Sequence, residues 1–313
     1  VRSVILTICF DPVLEKSYYV DNLFPGKESI ASKKIYDIRG KGIINGLILR
    51  HLNVDVFTTG FVGGLQGQYI SNILKEKRVY NEFIPIRDES RSRLLIYQDE
   101  ELLTMIGEEG PRITRDEIGS FYKFYSTILD RFDIICGLGN SPTNVGDDIY
   151  YDLIKVTNKH RKKFILDAEG EELRQGLAAR PFMVRLNKKD LEELSNLVLD
   201  FENEIIKVAR SIVEEGVELV AVDLGDQGSI FLTQDGGYRL ELTNTSIPML
   251  GEDQGYLAAG FAFGLYKSYD LETIMRLAQA FRIAYAMGND LEQIEMSDIK
   301  KFMTKIEIFR IYY

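Results

Sequence analysis

The chain of 313 residues has only two cysteines and two histidines. Cys9 and Cys136 lie inside apolar runs (ILTICF, DIICGL), with no CxxC spacing and no histidine beside them. That pattern excludes the common zinc arrangements and points to core thiols in a reducing compartment. His51 closes LILRH and His160 sits in NKHRKK; neither has a partner at catalytic spacing, and both suit the C-terminal end of a helix. Positive charge is scarce, with 38 Lys and Arg against 48 Asp and Glu and a net charge of -10, which excludes a broad nucleic-acid footprint. The one basic run, 158–163, reads as a solvated junction between a helix and a strand. No apolar run reaches the roughly 18 to 20 residues needed to span a bilayer. The opening VRSVILTICF is stopped by Asp11-Pro12 before it makes a signal-peptide core. The expectation is a cytoplasmic protein with neither membrane nor nucleic acid as partner. Repeats, low-complexity tracts and disordered linkers are absent too, so one compact unit spanning 1–313 is expected.

Hydrophobic residues make up 45% of the chain, ample for a buried core. Short β-branched runs (VILTICF, VDVFTTGFV, FDIICGL, KFILDA, FMVRLN, ELVAVDLG) alternate with segments whose apolar residues recur every three or four positions, such as GIINGLILRHL and FENEIIKVARSIVEEG. This alternation predicts a mostly parallel sheet with helices on both faces, and ligands at the carboxyl ends of its strands. Residues 16–38 and 88–106 break the rhythm and read as hairpin strands, the second folding about YQDEE. They predict a small β lid. Tyr18, Tyr19, Phe24, Leu94 and Tyr97 would lie on that thin sheet, which favours pairing of two copies through it.

Glycines mark the openings of two helices. RGKGIINGLILRHL places Gly40 and Gly42 before a helix N-terminus, where free N–H groups favour an anion or hydroxyls, and TGFVGGLQGQYI repeats the device with Gly60, Gly63, Gly64 and Gly67. Further along stand DPVLEK (11–16), GEEGP (107–111), LGNSPTN (138–144), LDAEGEEL (166–173), RLNKKD (185–190), DLGDQG (223–228) and GEDQG (251–255). In this order, over essentially the whole length, the sequence resembles the ribokinase-like (PfkB) sugar kinases, in the branch that holds 1-phosphofructokinase and tagatose-6-phosphate kinase. The resemblance implies a three-layer αβα sandwich with a small β lid, a sugar-phosphate substrate, ATP with Mg2+, and a homodimer. It implies that Glu15, Gly40, Lys41, Asn45 and Glu108 meet the sugar, with Ile44 at the family's asparagine position and Asn45 one step later. Asn187, Gly225, Gly228 and Gly251 fall on the nucleotide side, and Asp190 replaces the acid that helps organise Mg2+. Arg91 and Arg93 in SRSRLLIY are suited to hold a sugar phosphate from the lid.

GEDQG departs from the family's GAGD, in which glycine amides cradle the moving phosphoryl group and the aspartate takes the hydroxyl proton. Aligned on Ala259-Gly260-Phe261, the base position falls on Gly255; aligned on Gly251, it falls on Gln254. Asp253 is then a relocated catalytic base, the cap of the following helix, or a ligand for a metal or other group. Two functions follow: a kinase that phosphorylates a ketohexose phosphate such as fructose 1-phosphate or tagatose 6-phosphate, or a silent homologue that binds a sugar phosphate or nucleotide.

Overall fold

The computed structural model describes residues 5–243, 250–288 and 291–312. The chain starts with β1 (Ile5–Cys9), buried throughout, and passes Asp11-Pro12 into β2 (Val13–Tyr19), which pairs antiparallel with β3 (Lys33–Arg39). Gly40 turns the chain from β3 into α1 (Lys41–His51). Its φ of 128° is one that side-chain-bearing residues rarely adopt, and a Cβ there would lie 2.6 Å from Cys9 Sγ. Then come β4 (Val56–Gly63), α2 (Gly64–Glu76), and the short β5 (Tyr80–Asn81) and β6 (Ile84–Ile86). A hairpin of β7 (Ser92–Gln98) and β8 (Glu101–Gly107) follows, with Asp99 and Glu100 both at positive φ, the geometry of a two-residue turn.

From here strands and helices alternate: α3 (Arg115–Ile128), β9 (Ile134–Leu138), α4 (Ile149–Lys159), β10 (Lys163–Asp167), α5 (Gly170–Ala178), β11 (Met183–Asn187), α6 (Lys188–Ser195), α7 (Glu202–Glu214) and β12 (Leu219–Asp223). The chain ends with β13 (Ser229–Thr233), β14 (Gly236–Leu242), α8 (Tyr256–Tyr266), α9 (Leu271–Met287), α10 (Met296–Met303) and β15 (Ile306–Ile311).

The main sheet runs β15-β14-β13-β12-β11-β10-β9-β1-β4-β5, with β6 also on β4. From β12 to β5 neighbouring strands are parallel; β13, β14 and β15 add an antiparallel edge. Alternate residues face opposite cores: Ile165 packs on the side of α1, α2, α8, α9 and α10, while Phe164 and Leu166 pack among α3 to α7. The result is the ribokinase-like three-layer sandwich. Among the described residues no helix is long and apolar enough to cross a membrane.

The second sheet runs β3-β2-β7-β8. Its strands occupy the ends of the segment expected at 16–38, and the connection 20–32, with Phe24, is mostly exposed loop. Tyr18, Tyr19, Leu94 and Tyr97 are half-buried on the inner strands, Tyr19 stacked on Tyr97 at 4.8 Å. The apolar residues facing solvent lie instead on the edge strand β8, where Leu102, Leu103, Met105 and Ile106 are all more than half exposed.

Candidate functional site

The parallel register aligns Asn187 with Asp223 and brings Asp167 to the end of β10, so three polar side chains stand along the carboxyl edge of the sheet. The N-termini of α1 and α8 point at the same edge. Lys41, the first residue of α1, donates to Asp167 Oδ1 at 2.9 Å and lies 3.5 Å from Glu169. Arg185, in the middle of β11, donates through Nη2 to Asp223 Oδ2 at 2.6 Å and is 3.7 Å from Asp253 Oδ2 and 3.9 Å from Asp167 Oδ1. Arg282 of α9 donates through Nε to Asp223 Oδ2 at 2.9 Å and through Nη2 to the Gly251 carbonyl at 2.5 Å, with Asp253 Oδ1 at 3.8 Å. Asp223 Oδ1 accepts from Gly225 N at 3.0 Å. Asp167, Arg185, Asp223, Asp253 and Arg282 are buried, Lys41 is more open and Glu169 is half exposed.

Three aspartates against two arginines and a lysine give a buried cluster with no net charge, the condition under which ions persist in a low-dielectric interior. Burial works against ionisation of Asp223, but Arg185 and Arg282 outweigh it and hold its pKa below the usual carboxylate value. Burial also opposes the charge on Arg185, and Asp167, Asp253 and Asp223 overcome it and push that pKa up. Asp253 goes the other way: burial raises it, helped by Asp223 and Asp167, and Arg185 offsets this only in part.

Of the three readings of GEDQG, the geometry is that of the cap. Asp253 Oδ1 accepts from the amides of Tyr256 at 2.9 Å and Leu257 at 3.3 Å, and the carboxylate is 1% exposed. The bonds that Asp253 makes are thus those of a helix cap, as the second reading expects. The step of about 100° per helical residue explains it: α8 is pinned against α9, where a Cβ on Gly260 would lie 2.7 Å from the Ala278 Cα, so an acid two positions upstream of Gly255 cannot share its direction. Gly255 itself is the N-cap, at φ 91°, and a Cβ there would lie 2.8 Å from the Lys41 carbonyl.

On the sugar side, Glu15 of β2 is bonded by Arg39 of β3 at 3.2 Å and by Arg93 of β7 at 3.1 Å through Nε, and Arg91 pairs with Asp11 at 2.8 Å. Glu108 accepts from Ser92 N at 2.5 Å, which, against a small cost of burial, holds its pKa down. Gly40 and Lys41 stand at the mouth of α1 beside these groups. Asn45 does not: it is fully buried and donates to the Gly255 carbonyl at 3.2 Å, tying α1 to α8. One residue beyond Ile44 turns the side chain away from the cleft and into the core.

On the nucleotide side, Gly225 and Gly228 shape the turn between β12 and β13 at φ 64° and 97°. Asn187 and Asp190 bond each other's backbone N–H groups at 2.9 and 2.7 Å as the capping box of α6. Asp190, expected beside Mg2+, is thus engaged with its own helix; burial lifts its pKa to about 6, against the Asn187 amide and Arg185. The Gly251 carbonyl accepts from Arg282 Nη2.

Sequence reasoning missed Arg185 and Arg282. The signal was present: each is a lone cation inside an apolar run, FMVRLN and LAQAFRIAYAM, which implies a buried partner of opposite charge.

The neighbouring loop carries a pH-sensitive contact. Glu172 of α5 accepts from Ser141 N at 3.0 Å and Ser141 Oγ at 2.7 Å, and burial, aided by Asp147, lifts its pKa to about 7. A carboxyl raised above its unfolded value contributes stability that is full below about 4.5 and lost as pH rises through about 7. Glu172→Gln keeps the acceptor without the charge. Its stability relative to the parent is expected to improve by on the order of 1–3 kcal/mol between pH 5 and pH 8, measured by urea unfolding at both pH values. A constant difference would show that Glu172 does not titrate in this window.

The fold is ribokinase-like, and this charged edge lies at the carboxyl ends of its parallel strands. Phosphofructokinase-2 of Escherichia coli superposes with a TM-score of 0.85 in its potassium complex and 0.81 in its fructose-6-phosphate complex, at 20% and 19% identity over 97% of this chain and 99% of each neighbour. In sequence, the chain is 24% identical to 1-phosphofructokinase of Bacillus subtilis and 25% identical to tagatose-6-phosphate kinase of Staphylococcus epidermidis, over 98% of this chain and 100% of each relative. Residues 40–246 match the pfkB family of carbohydrate kinases, and the chain belongs to that family.

Proposed function

We propose that this chain is a sugar-phosphate-binding member of the pfkB family in which phosphoryl transfer from ATP is silenced. The observation that carries this reading is the closed N-terminus of α8. The Asp253 carboxylate is turned onto the amides of Tyr256 and Leu257, the first donors of α8, and in the register set by Ala259-Gly260-Phe261 it is Gly255 that stands at the family's base position, so no carboxylate is aimed at a sugar hydroxyl there. ATP with Mg2+, the cofactors of the family, do not fit this arrangement. Lys41, Arg185 and Arg282 are already paired with aspartates in a cluster of no net charge, so none of them is left to neutralise a transferring phosphate.

The sugar side is better preserved. Arg39 and Arg93 flank Glu15, a pair of guanidinium groups able to pass to a phosphate while Glu15 takes hydroxyls. A ketohexose phosphate such as fructose 1-phosphate or tagatose 6-phosphate is the substrate class that the names of the relatives support. Calorimetric titration with each sugar phosphate is expected to show saturable binding that weakens about tenfold or more in Arg93→Ala. Absence of binding by either sugar overturns the reading.

The second sheet forms a lid that pairs with a second copy. Strand β8 is an uncovered edge with four exposed apolar residues, a surface that a monomer rarely presents to water. Sedimentation is expected to give a dimer, and the double variant Leu103→Glu, Met105→Glu a monomer; a monomeric parent at tens of micromolar contradicts this. Both cysteines are free and buried, in keeping with a cytoplasmic setting.

A further inference from the structure

Outside the charge cluster, a groove of about 1140 Å³ runs along the outer side of α1 from Arg39 and Arg93 to His51, walled by α2 and floored by the C-terminal part of α9. From Ile44 to His51 this is on the order of 10 Å of helix, and the volume is enough for a ligand larger than a ketohexose phosphate.

Three features of its lining point to one chemistry. The rim carries Tyr36 and Tyr69, edge to face with centroids 6.0 Å apart and each more than a third exposed, which leaves ring faces open to a flat partner. The floor carries Tyr285, 2% exposed and stacked on Tyr256 at 6.0 Å, whose buried hydroxyl has no hydrogen-bond partner among the described residues. A buried hydroxyl left unbonded costs roughly 1–3 kcal/mol, and a ligand that bonds it recovers part of that. The outer end carries Arg50, Lys77 and Arg78. Arg50 faces Asp55 at 3.5 Å and Lys77 pairs with Glu292, whereas the Arg78 guanidinium has no ion-pair partner among the described residues. Glu76 and Glu292 line the same end, so the anion is assigned to the one guanidinium there without an ion-pair partner among the described residues, that of Arg78.

We infer that the part of this groove beyond Arg39, Arg93 and the entrance of α8, from Tyr36 and Tyr69 to Arg78, is a second ligand site for an anion attached to a planar ring, the class to which nucleoside phosphates belong. The ring sits at Tyr36 and Tyr69 and the phosphate at Arg78. Nothing in this site requires a transferable phosphate or a metal.

AMP in the presence of EDTA is the probe, titrated calorimetrically into the full chain. Saturable binding in the submillimolar range is expected, with ribose 5-phosphate weaker by about tenfold because it lacks the ring. Tyr69→Ala and Arg78→Ala, both exposed positions, should each weaken AMP by about tenfold and leave fructose 1-phosphate unaffected. Tyr285→Phe should weaken it several-fold with the fold intact. No saturation by about 5 mM AMP, or affinity unchanged in both Tyr69→Ala and Arg78→Ala, overturns the inference. Because fructose 1-phosphate is titrated into the same proteins, failure of the sugar site and failure of this groove are read separately.

Discussion

Arg185→Met is expected to destabilise the protein by about 3–5 kcal/mol, the effect of leaving buried carboxylates without their counter-ion. Arg185 is the common neighbour of Asp167, Asp223 and Asp253, so its loss turns a neutral cluster into one with an uncompensated negative charge. Adding Asp223→Ser to the variant removes one of those carboxylates and should recover a substantial part of the loss, because the penalty lies in the unpaired charge rather than in a missing contact. The pH dependence has a definite sign. Asp223 has a depressed pKa, so its pairing contributes stability above the ordinary carboxylate range and loses it as pH falls. The gap between parent and Arg185→Met should therefore narrow toward acid. Urea denaturation of the parent, the single variant and the double variant at pH 7 and pH 4 measures all of this; a single variant within about 1 kcal/mol of the parent would show that the cluster is not what holds this edge together.

Gly255→Asp places an acid at the position where the family carries its base, and it is expected to restore no phosphoryl transfer. Its cost is on the order of 1–3 kcal/mol, since Gly255 adopts φ 91° and an added Cβ would press on the Lys41 carbonyl at 2.8 Å. Thermal unfolding reports the cost and a coupled ADP assay the activity. The variant asks whether one missing carboxylate accounts for the silence. The geometry says that it does not, because the amides beside it remain capped by Asp253 and the cations remain paired.

The architecture was legible because it rests on repeated local signals. The runs ILTIC, IICGL, KFILD, MVRLN and LVAVD each became a central strand, and the periodic segments between them became helices. What remained hidden depends on the direction of single side chains. Asn45 and Ile44 differ by one helical step, yet one ties two helices together inside the core and the other lines the groove. Asp190 and Asp253 have the residue type of ligands and the neighbours of caps, and only the hydrogen bonds to their own helices distinguish the two. The apolar edge of β8 was not singled out, for a similar reason. ELLTMIG carries apolar residues on both faces, so its pattern does not tell an inner strand from an uncovered edge.

The central claim is that the acid of this loop caps α8 and leaves the phosphoryl-transfer position without a base. Release of ADP from ATP with Mg2+ at neutral pH, with and without saturating fructose 1-phosphate or tagatose 6-phosphate, tests it most directly. The account predicts no sugar-dependent ADP above the uncatalysed background, in the parent and in Asp253→Asn alike. Sugar-dependent turnover in the parent that falls by roughly a hundredfold or more in Asp253→Asn, the loss typical of a positioned general base, would contradict it.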